Sequence, residues 1–202
     1  MTKKPWFVTS SIAIALSWAA VAPCSTDDSF RPAAADAYAH QSADQVTIGA
    51  KPFDNDDLVS QAFGKKVDLL KYGILPVLVV IENKRQNALD LRDVQVSLVA
   101  SDGRHSTSVS PEEFASLGKQ GKHPATMTPL PRIPLPKKGN PLNSPEIGAR
   151  AFSPKMLPAG DSASGFFYFE AKSEPGDSLY VSGLRDARSR EEILYFEFPF
   201  EK

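Results

Sequence analysis

The sequence contains three histidines, His40, His105 and His123, a residue type that often serves in acid–base catalysis. Asp102 lies three positions before His105 with serines nearby, so an Asp–His–Ser triad is conceivable here. However, the pair flanks a tight turn, and the chain contains no G-x-S-x-G nucleophile motif. We interpret Asp102 and His105 as parts of a solvated turn, and the other two histidines as residues of a tether and a loop.

Two short acidic groups have residue types that suit a metal ion or an acid–base reaction. Residues 54–57 (DNDD) offer the oxygen ligands that Ca²⁺ prefers, but the central Gly and distal Glu of an EF-hand loop are missing. Glu112 and Glu113 are adjacent, so on a helix their side chains would point in different directions. Helix starts explain both groups better. We expect no catalytic residue, metal site or cofactor, and predict that the protein is not an enzyme.

The bulk composition sets further limits. The 202 residues carry a formal net charge of −1, whereas a nucleic-acid-binding protein usually has a clear basic excess. The single cysteine, Cys24, excludes a disulfide framework within the chain and any metal site built from several cysteines. The 17 prolines outnumber the 12 glycines, which indicates long loops and argues against a wholly helical fold.

The N-terminus has the pattern of an export signal. Lys3 and Lys4 precede an apolar segment over residues 6–22, which is about the length of a signal-peptide core. Thr9 and three serines interrupt this segment, and it is shorter than the ~20 apolar residues that a membrane-spanning helix needs. We predict a signal peptide over residues 1–23 rather than a permanent transmembrane helix.

Residues 21–24 (VAPC) resemble the lipobox of bacterial lipoproteins, in which an aliphatic residue and two small residues precede a cysteine, although Pro23 departs from that pattern. The resemblance implies that Cys24 carries lipid, and acyl CH₂ groups at ~0.8 kcal/mol each would then hold the chain on a membrane. We expect an extracytoplasmic protein anchored on the periplasmic side or the cell surface. The alternative is a soluble secreted protein, cleaved after residues 20–22 or 33–35.

The segment that follows is poor in core-forming residues. Residues 24–45 are rich in Ala, Ser and Asp and contain few large apolar side chains. Such a composition does not supply a hydrophobic core, so we predict a flexible tether over residues 24–45. The folded domain is expected over residues 46–202.

Period-two alternation predicts that this domain is mainly β. Val96 and Leu98 share one face of a strand over residues 94–100, and residues 101–104 (SDGR) have the composition of a hairpin turn. Short strands separated by turns favour an antiparallel β-sandwich. Further strands are predicted over residues 46–48, 105–109, 165–170, 178–184 and 193–200, with a turn over residues 157–161.

Residues 74–81 (ILPVLVVI) differ from the other predicted strands because both of their faces are apolar. A strand of a two-layer sandwich normally shows one face to water, so something must cover the second face. The covering element is either a helix or loop of the same chain or the surface of a partner.

Two short helices are predicted. Residues 54–64 begin with cap residues and acids and end at Gly64. Residues 110–118 repeat this arrangement, with Ser110 as the N-cap and Pro111 in the first turn.

Several stretches of the domain are similar to a pattern in uncharacterised bacterial lipoproteins. They are residues 62–64 (AFG), 73–77 (GILPV) and 79–83 (VVIEN). Residues 157–160 (LPAG) and 166–169 (FFYF) resemble the second half of the immunoglobulin-like sandwich domains of such proteins. The likeness spans most of residues 62–200. It implies an immunoglobulin-like fold and an envelope location, and it brings no activity.

Residues 118–145 form a Pro-rich basic segment with 7 of the 17 prolines and no acidic residue. Residues 129–136 (PLPRIPLP) favour extended polyproline II, a preformed shape that docks at a low ordering cost. The basic residues are candidates for contact with a protein partner or anionic head groups, and they are Lys119, Lys122, Arg132, Lys137 and Lys138. Alternatively, Leu130, Ile133 and Leu135 pack over the apolar strand and the loop has no partner.

Two functions remain open for this sequence. The first is a lipid-anchored, non-enzymatic interaction module of the cell envelope that docks an unknown protein or envelope component through its Pro-rich loop. The second is a secreted small-ligand-binding protein or enzyme with a pocket built from loops, and converging polar side chains in a concave pocket would favour it.

Overall fold

The computed structural model describes residues 30–113, 141–193 and 195–200. The strands are β1 (Ala39–Ala43), β2 (Val46–Pro52), β3 (Ile74–Asn83), β4 (Leu89–Asp90), β5 (Gln95–Val99), β6 (His105–Thr107), β7 (Met156–Leu157), β8 (Ser162–Glu170), β9 (Ser178–Ser182), β10 (Arg185–Asp186) and β11 (Phe196–Pro199). The helical elements are α1 (Asp56–Phe63), α2 (Pro145–Arg150), the helical residues 111–113, and 3-10 turns at Ala35–Ala37, Leu70–Tyr72 and Pro141–Asn143.

The strands pair into two four-stranded sheets and one small ladder. The front sheet has the strand order β1-β2-β3-β8, and the back sheet has the order β11-β9-β5-β6. The end ladder joins the two-residue strands in the order β10-β4-β7. All of these strand pairs are antiparallel.

The two large sheets pack face to face around an inner core. Alternate residues of each strand point into it because side chains along a strand face opposite sides. This packing confirms the predicted antiparallel, mainly β sandwich. The inner core includes Ile48, Val77, Val79 and Phe169 from the front sheet and Val96, Leu98, Leu179, Val181, Phe196 and Phe198 from the back sheet.

A second apolar cluster lies on the opposite side of the front sheet. The remaining residues of β3 and β8 point into it, and α1, α2 and the chain near Ala35 cover them; we call this cover the outer layer. The prediction that other parts of the same chain cover residues 74–81 is therefore confirmed. Leu130, Ile133 and Leu135 lie outside the described residues. The cluster contains Phe53, Val59, Phe63, Ile74, Leu78, Val80, Ile147, Phe166 and Tyr168.

Two glycines let the outer layer approach the front sheet closely. A Cβ atom on Gly49 would lie 2.2 Å from the carbonyl oxygen of Ala35, and one on Gly165 would lie 2.5 Å from the Cα of Phe152. Both distances are far below van der Waals contact, so these two positions admit only glycine without a backbone shift.

The predicted flexible tether over residues 24–45 is wrong for residues 30–45. β1 pairs with β2 along its whole length, and Ala35 is fully buried. The backbone N–H of Ala35 donates to Glu82 over 2.8 Å, which lowers the pKa of Glu82. The composition of this segment is a poor guide to its structure because β1 joins the front sheet through backbone hydrogen bonds. Such bonds do not require large side chains.

Most of the predicted strands are confirmed, with shifted ends. The strand predicted over residues 165–170 begins earlier, at Ser162, and the one predicted over residues 193–200 begins later, at Phe196. The predicted turn between β5 and β6 is also confirmed, with Gly103 at a φ of 83°. Gly160 takes a φ of 80° in the predicted turn before β8.

The first predicted helix is confirmed as α1. The side chain of Asn55 accepts a hydrogen bond from the N–H of Leu58, and Gly64 ends the helix. Residues 111–113 are helical, and residues 114–118 of the second predicted helix lie outside the described residues. α2 was not predicted. Among the described residues, no helix is long and apolar enough to cross a membrane.

Candidate functional site

The residues that we predicted to meet a membrane or a partner lie outside the described residues. They are Cys24 and the basic residues Lys119, Lys122, Arg132, Lys137 and Lys138, and His123 also lies there. The structure does describe the chain on both sides of the Pro-rich segment. Its last described residue before the gap is Glu113, and the chain resumes at Pro141.

The hydrogen bonds of Asp102 stabilise the turn over residues 102–105. Asp102 accepts hydrogen bonds from the N–H of Arg104 over 3.0 Å and from its Nε over 2.6 Å. The guanidinium of Arg104 holds the pKa of Asp102 below its ordinary value. The acid thus braces the β5–β6 turn, in agreement with the solvated-turn interpretation.

The acidic pairs in the sequence also serve helix starts. Asn55 caps α1, while Ser110 and Glu113 exchange two hydrogen bonds: Glu113 accepts from the N–H of Ser110 over 3.0 Å, and the Ser110 hydroxyl accepts from the N–H of Glu113 over 3.3 Å. This reciprocal pair is a capping box. Within the described ranges, no group of three or more His, Cys, Asp or Glu side chains is placed to hold a metal ion.

Sequence reasoning missed a buried polar cluster around the end ladder. Asp186 accepts from the N–H of Arg188 over 2.8 Å and from that of Ser189 over 3.0 Å. Its second oxygen accepts from Asn87 and Arg85, each over 3.1 Å. These hydrogen bonds, those from the backbone first, hold the pKa of Asp186 far below its ordinary value.

Asp90 forms the second half of this cluster. It accepts from the Nε of Arg92 over 2.9 Å and from Arg190 over 3.0 Å. The hydrogen bonds from Arg92 keep the pKa of Asp90 far below its ordinary value.

Asn83 ties the cluster to β3. Its side-chain amide donates to three backbone carbonyls, of which that of Asn87 lies at 2.9 Å. All buried side-chain N and O atoms in the described part of the chain have a hydrogen-bond partner. With every oxygen engaged and the acids ionised at neutral pH, this cluster suits the fixing of loops more than proton transfer.

A weak signal of this cluster is present in the sequence. Asp90 stands between Leu89 and Leu91, and an acid within an apolar run suggests a buried, paired carboxylate. The partners of Asp90 and Asp186 are arginines up to 101 positions away, so the pairing depends on the fold.

A cleft of about 580 Å³ lies beside β1, and we call it the β1 cleft. It lies between the edge of the front sheet and β11, and the end of β2 and α1 contribute to its walls. Apolar side chains and two acids, a lysine and a histidine share its lining. They include Lys51, Asp54, Leu58, Glu197, Phe198 and Phe200.

A smaller cleft of about 270 Å³ lies between the β5–β6 turn and the segment that joins β8 to β9. Its lining is mostly charged, and one of its acids, Asp177, already accepts from the backbone N–H groups of Ser101 over 3.1 Å and Glu174 over 2.9 Å. This acid therefore stabilises the local chain.

Comparison with known proteins adds little to this geometry. No protein-family model matches the sequence, and no curated protein matches it. Among solved structures, the chain is similar to the Bacillus subtilis protein named "putative lipoprotein (ycdA)", with a TM-score of 0.39 and 10% sequence identity. The match covers 80% of this chain and 38% of that protein, and a likeness this distant does not show a family.

Proposed function

We propose that this protein is an exported, lipid-anchored interaction module of the bacterial cell envelope, without enzymatic activity of its own. The leader supports export, since Lys3 and Lys4 precede an apolar segment that ends just before Cys24. The finer assignment of the sandwich to immunoglobulin-like domains belongs to the same proposal and rests on its two facing antiparallel sheets.

The start of the folded domain carries this proposal. Phe30 already packs against Phe53 and Phe166, with ring centroids 5.8 Å and 5.7 Å away. Phe30 follows Cys24 by six residues, which span at most ~20 Å when fully extended. A lipid on Cys24 would therefore hold the outer layer close to the bilayer.

The burial of Ala35 bears on the alternative cleavage sites. A cut after residues 33–35 would remove Phe30 from the outer layer. It would also remove Ala35, whose N–H donates to Glu82. Processing at Cys24 leaves all of these contacts intact, so we favour it over cleavage after residue 35.

The Pro-rich segment leaves and re-enters the domain at the same layer. Before it, the N–H of Val109 donates to the carbonyl of Tyr168 over 2.8 Å at the edge of β8. After it, Leu142 is buried in the outer cluster and Arg150 donates to the carbonyl of Phe30 over 3.3 Å. An anchor at Cys24 and the five basic residues would therefore extend from one side of the domain, where they would act on the same membrane or on a partner close to it.

The lipid anchor is tested by Cys24→Ser, with Ser29→Ala as the matched control in the same segment. We expect the Cys24→Ser protein to move from the membrane fraction to the soluble fraction and to lose incorporation of labelled palmitate. The control should remain on the membrane and keep its label. A Cys24→Ser protein that stays on the membrane would refute acylation at this position.

The basic segment is tested by replacing Lys119, Lys122, Arg132, Lys137 and Lys138 with Gln. The matched control replaces five exposed lysines elsewhere, Lys65, Lys66, Lys71, Lys155 and Lys172, so that net charge falls equally. We expect crosslinking in the native envelope to lose a defined product in the first variant only. Equal crosslinking patterns in both variants would contradict a role for this segment.

The β1 cleft favours the second candidate function, a binder of a small ligand. Its volume of about 580 Å³ falls within the range of ligand pockets. We place this function second because the charged groups that line the cleft differ in sign, with Lys51 beside the acids Asp54 and Glu197 in the lining.

A further inference from the structure

The free edge of β1 is the least protected sheet edge in the described structure. β1 pairs with β2 on one side, and the described residues add no strand on the other. Residues 39–43 contain no proline, no lysine and no bulge, and four of the five are exposed. Natural sheets usually protect an exposed edge with such features, because an unpaired edge offers hydrogen bonds to any extended chain.

The register identifies the backbone groups that are free. The two-residue turn at Asp44 and Gln45 makes Ala43 and Val46 a hydrogen-bonded pair, and hydrogen-bonded pairs then alternate along the hairpin. The N–H and C=O groups of His40 and Ser42 consequently point away from β2. They form a row of two donors and two acceptors along the outer edge.

The other edges of the two large sheets are partly occupied or short. At β8, the carbonyl of Phe166 accepts from the N–H of Phe152 over 3.0 Å, and the carbonyl of Tyr168 accepts from Val109.

β11 and β6 are protected in other ways. At β11, the outward N–H of Glu197 donates to the side chain of Gln41 over 3.1 Å, and the next outward position is Pro199, which has no N–H. β6 has only three residues. The contrast singles out β1 as an edge left open.

We propose that the edge of β1 binds an extended peptide segment of another protein as an added strand of the front sheet. Its backbone would pair with His40 and Ser42, and alternate side chains would enter the β1 cleft beside them. Backbone pairing supplies affinity in this mode of recognition, while the pocket selects side chains. The floor of the cleft, with Ala50, Phe198 and Phe200, favours small or medium apolar side chains.

A peptide fits this edge better than a second copy of the chain. A strand of five residues is roughly 17 Å long, so pairing two such edges would bury far less than the ~800 Å² per partner of a stable dimer. A flexible peptide adds the surface of its side chains inside the cleft, which a second rigid domain does not offer. This inference does not depend on the lipid anchor.

The test begins with the full-length protein in mild detergent and a library of random heptapeptides displayed on phage. Selected peptides are then synthesised, and binding is measured to the wild type, Ser42→Pro and Ser42→Ala. Ser42→Pro removes the outward N–H without touching a β1–β2 backbone bond. Ser42→Ala removes only the hydroxyl that contacts Thr47 over 2.9 Å.

We expect the Ser42→Pro protein to bind the selected peptides at least tenfold more weakly and Ser42→Ala to bind within twofold of the wild type. Hydrogen exchange of the His40 and Ser42 amides should slow on binding. If Ser42→Pro does not fold, the same tenfold loss should follow N-methylation of alternate peptide residues. Unchanged binding by Ser42→Pro or by N-methylated peptides would overturn the proposal. The proposal would also be overturned if no peptide could be selected. It would be overturned as well if the protein formed a dimer that protects the His40 and Ser42 amides from hydrogen exchange without peptide.

Discussion

The two faces of the front sheet are buried in different ways. The inner face meets a second sheet, so residues two apart along each strand contact residues two apart on the facing strands. The outer face meets chain from several distant parts of the sequence, including Phe30, Val59 and Ile147. One face therefore packs against another sheet, and the other face packs against segments that are distant in sequence. We infer that the sandwich can form first and that the outer layer then packs onto the front sheet.

The largest effect is expected from truncation within the inner core. Phe169→Ala removes a fully buried ring at the centre of the sandwich, which should lower the free energy of unfolding by about 3–5 kcal/mol. The loss should appear in one cooperative transition, measured by urea denaturation with circular dichroism and tyrosine fluorescence. Separate transitions for the two probes would show that the sandwich is less cooperative than we infer.

Truncation in the outer layer should have a more local effect. Ile147→Ala removes a buried side chain of α2 and should cost about 2–5 kcal/mol. If the sheet is stable without the outer layer, as we infer, hydrogen exchange should accelerate in α1 and α2. The amides of β5 and β9 should keep their hydrogen-exchange rates. Faster exchange in these strands would contradict the inference that the sandwich is stable without the outer layer.

A pair of glycine substitutions should separate close packing from helix propensity. Gly49→Ala places a Cβ atom 2.2 Å from the Ala35 carbonyl oxygen and should destabilise the protein by about 1–3 kcal/mol through overpacking. Gly148→Ala, in α2, meets no atom within 4 Å and should stabilise the protein by up to ~1 kcal/mol. Thermal denaturation should show a lower melting temperature for Gly49→Ala and a higher one for Gly148→Ala than for the wild type. Equal melting temperatures would disprove the tight approach at Gly49.

The smallest change is expected from pH near neutrality. Asp90 and Asp186 have lowered pKa values in the folded state, so their stabilising contribution is present above the ordinary carboxyl pKa of 3.8 and is lost as the pH falls below it. Urea midpoints should therefore hardly differ between pH 7 and pH 5 and should fall below pH 4. Asp186→Asn should flatten that decline, and an unchanged decline would remove Asp186 from its causes.

The inner core could be predicted from the sequence because its signal is local. Val96 and Leu98 alternate with polar residues, and Gly103 follows Asp102 in a segment with the composition of a turn. The period-two alternation and the turn residues therefore both predict a β-hairpin. The strand at residues 74–81 also revealed that its second face is covered.

The outer layer and the β1 edge could not be predicted in this way. Phe30 lies in an Ala- and Ser-rich segment whose composition resembles a linker, and its contacts with Phe53 and Phe166 depend on the tertiary fold. The β1–β2 turn at Asp44 and Gln45 contains no glycine although both residues have positive φ, so the usual hairpin signal is missing. The ion pair between Arg85 and Asp186 joins residues far apart in the sequence, so it also depends on the tertiary fold.

The pairing of β1 with β2 has a practical consequence for anyone who produces this protein in recombinant form. A fragment that starts at Val46 would lack β1, and β2 would then be an unpaired edge strand that contains the apolar residues Val46 and Ile48. Unpaired edge strands of this kind pair between molecules and cause aggregation. Preparations that begin at or before Phe30 should stay in solution, whereas those that begin at residue 46 should precipitate.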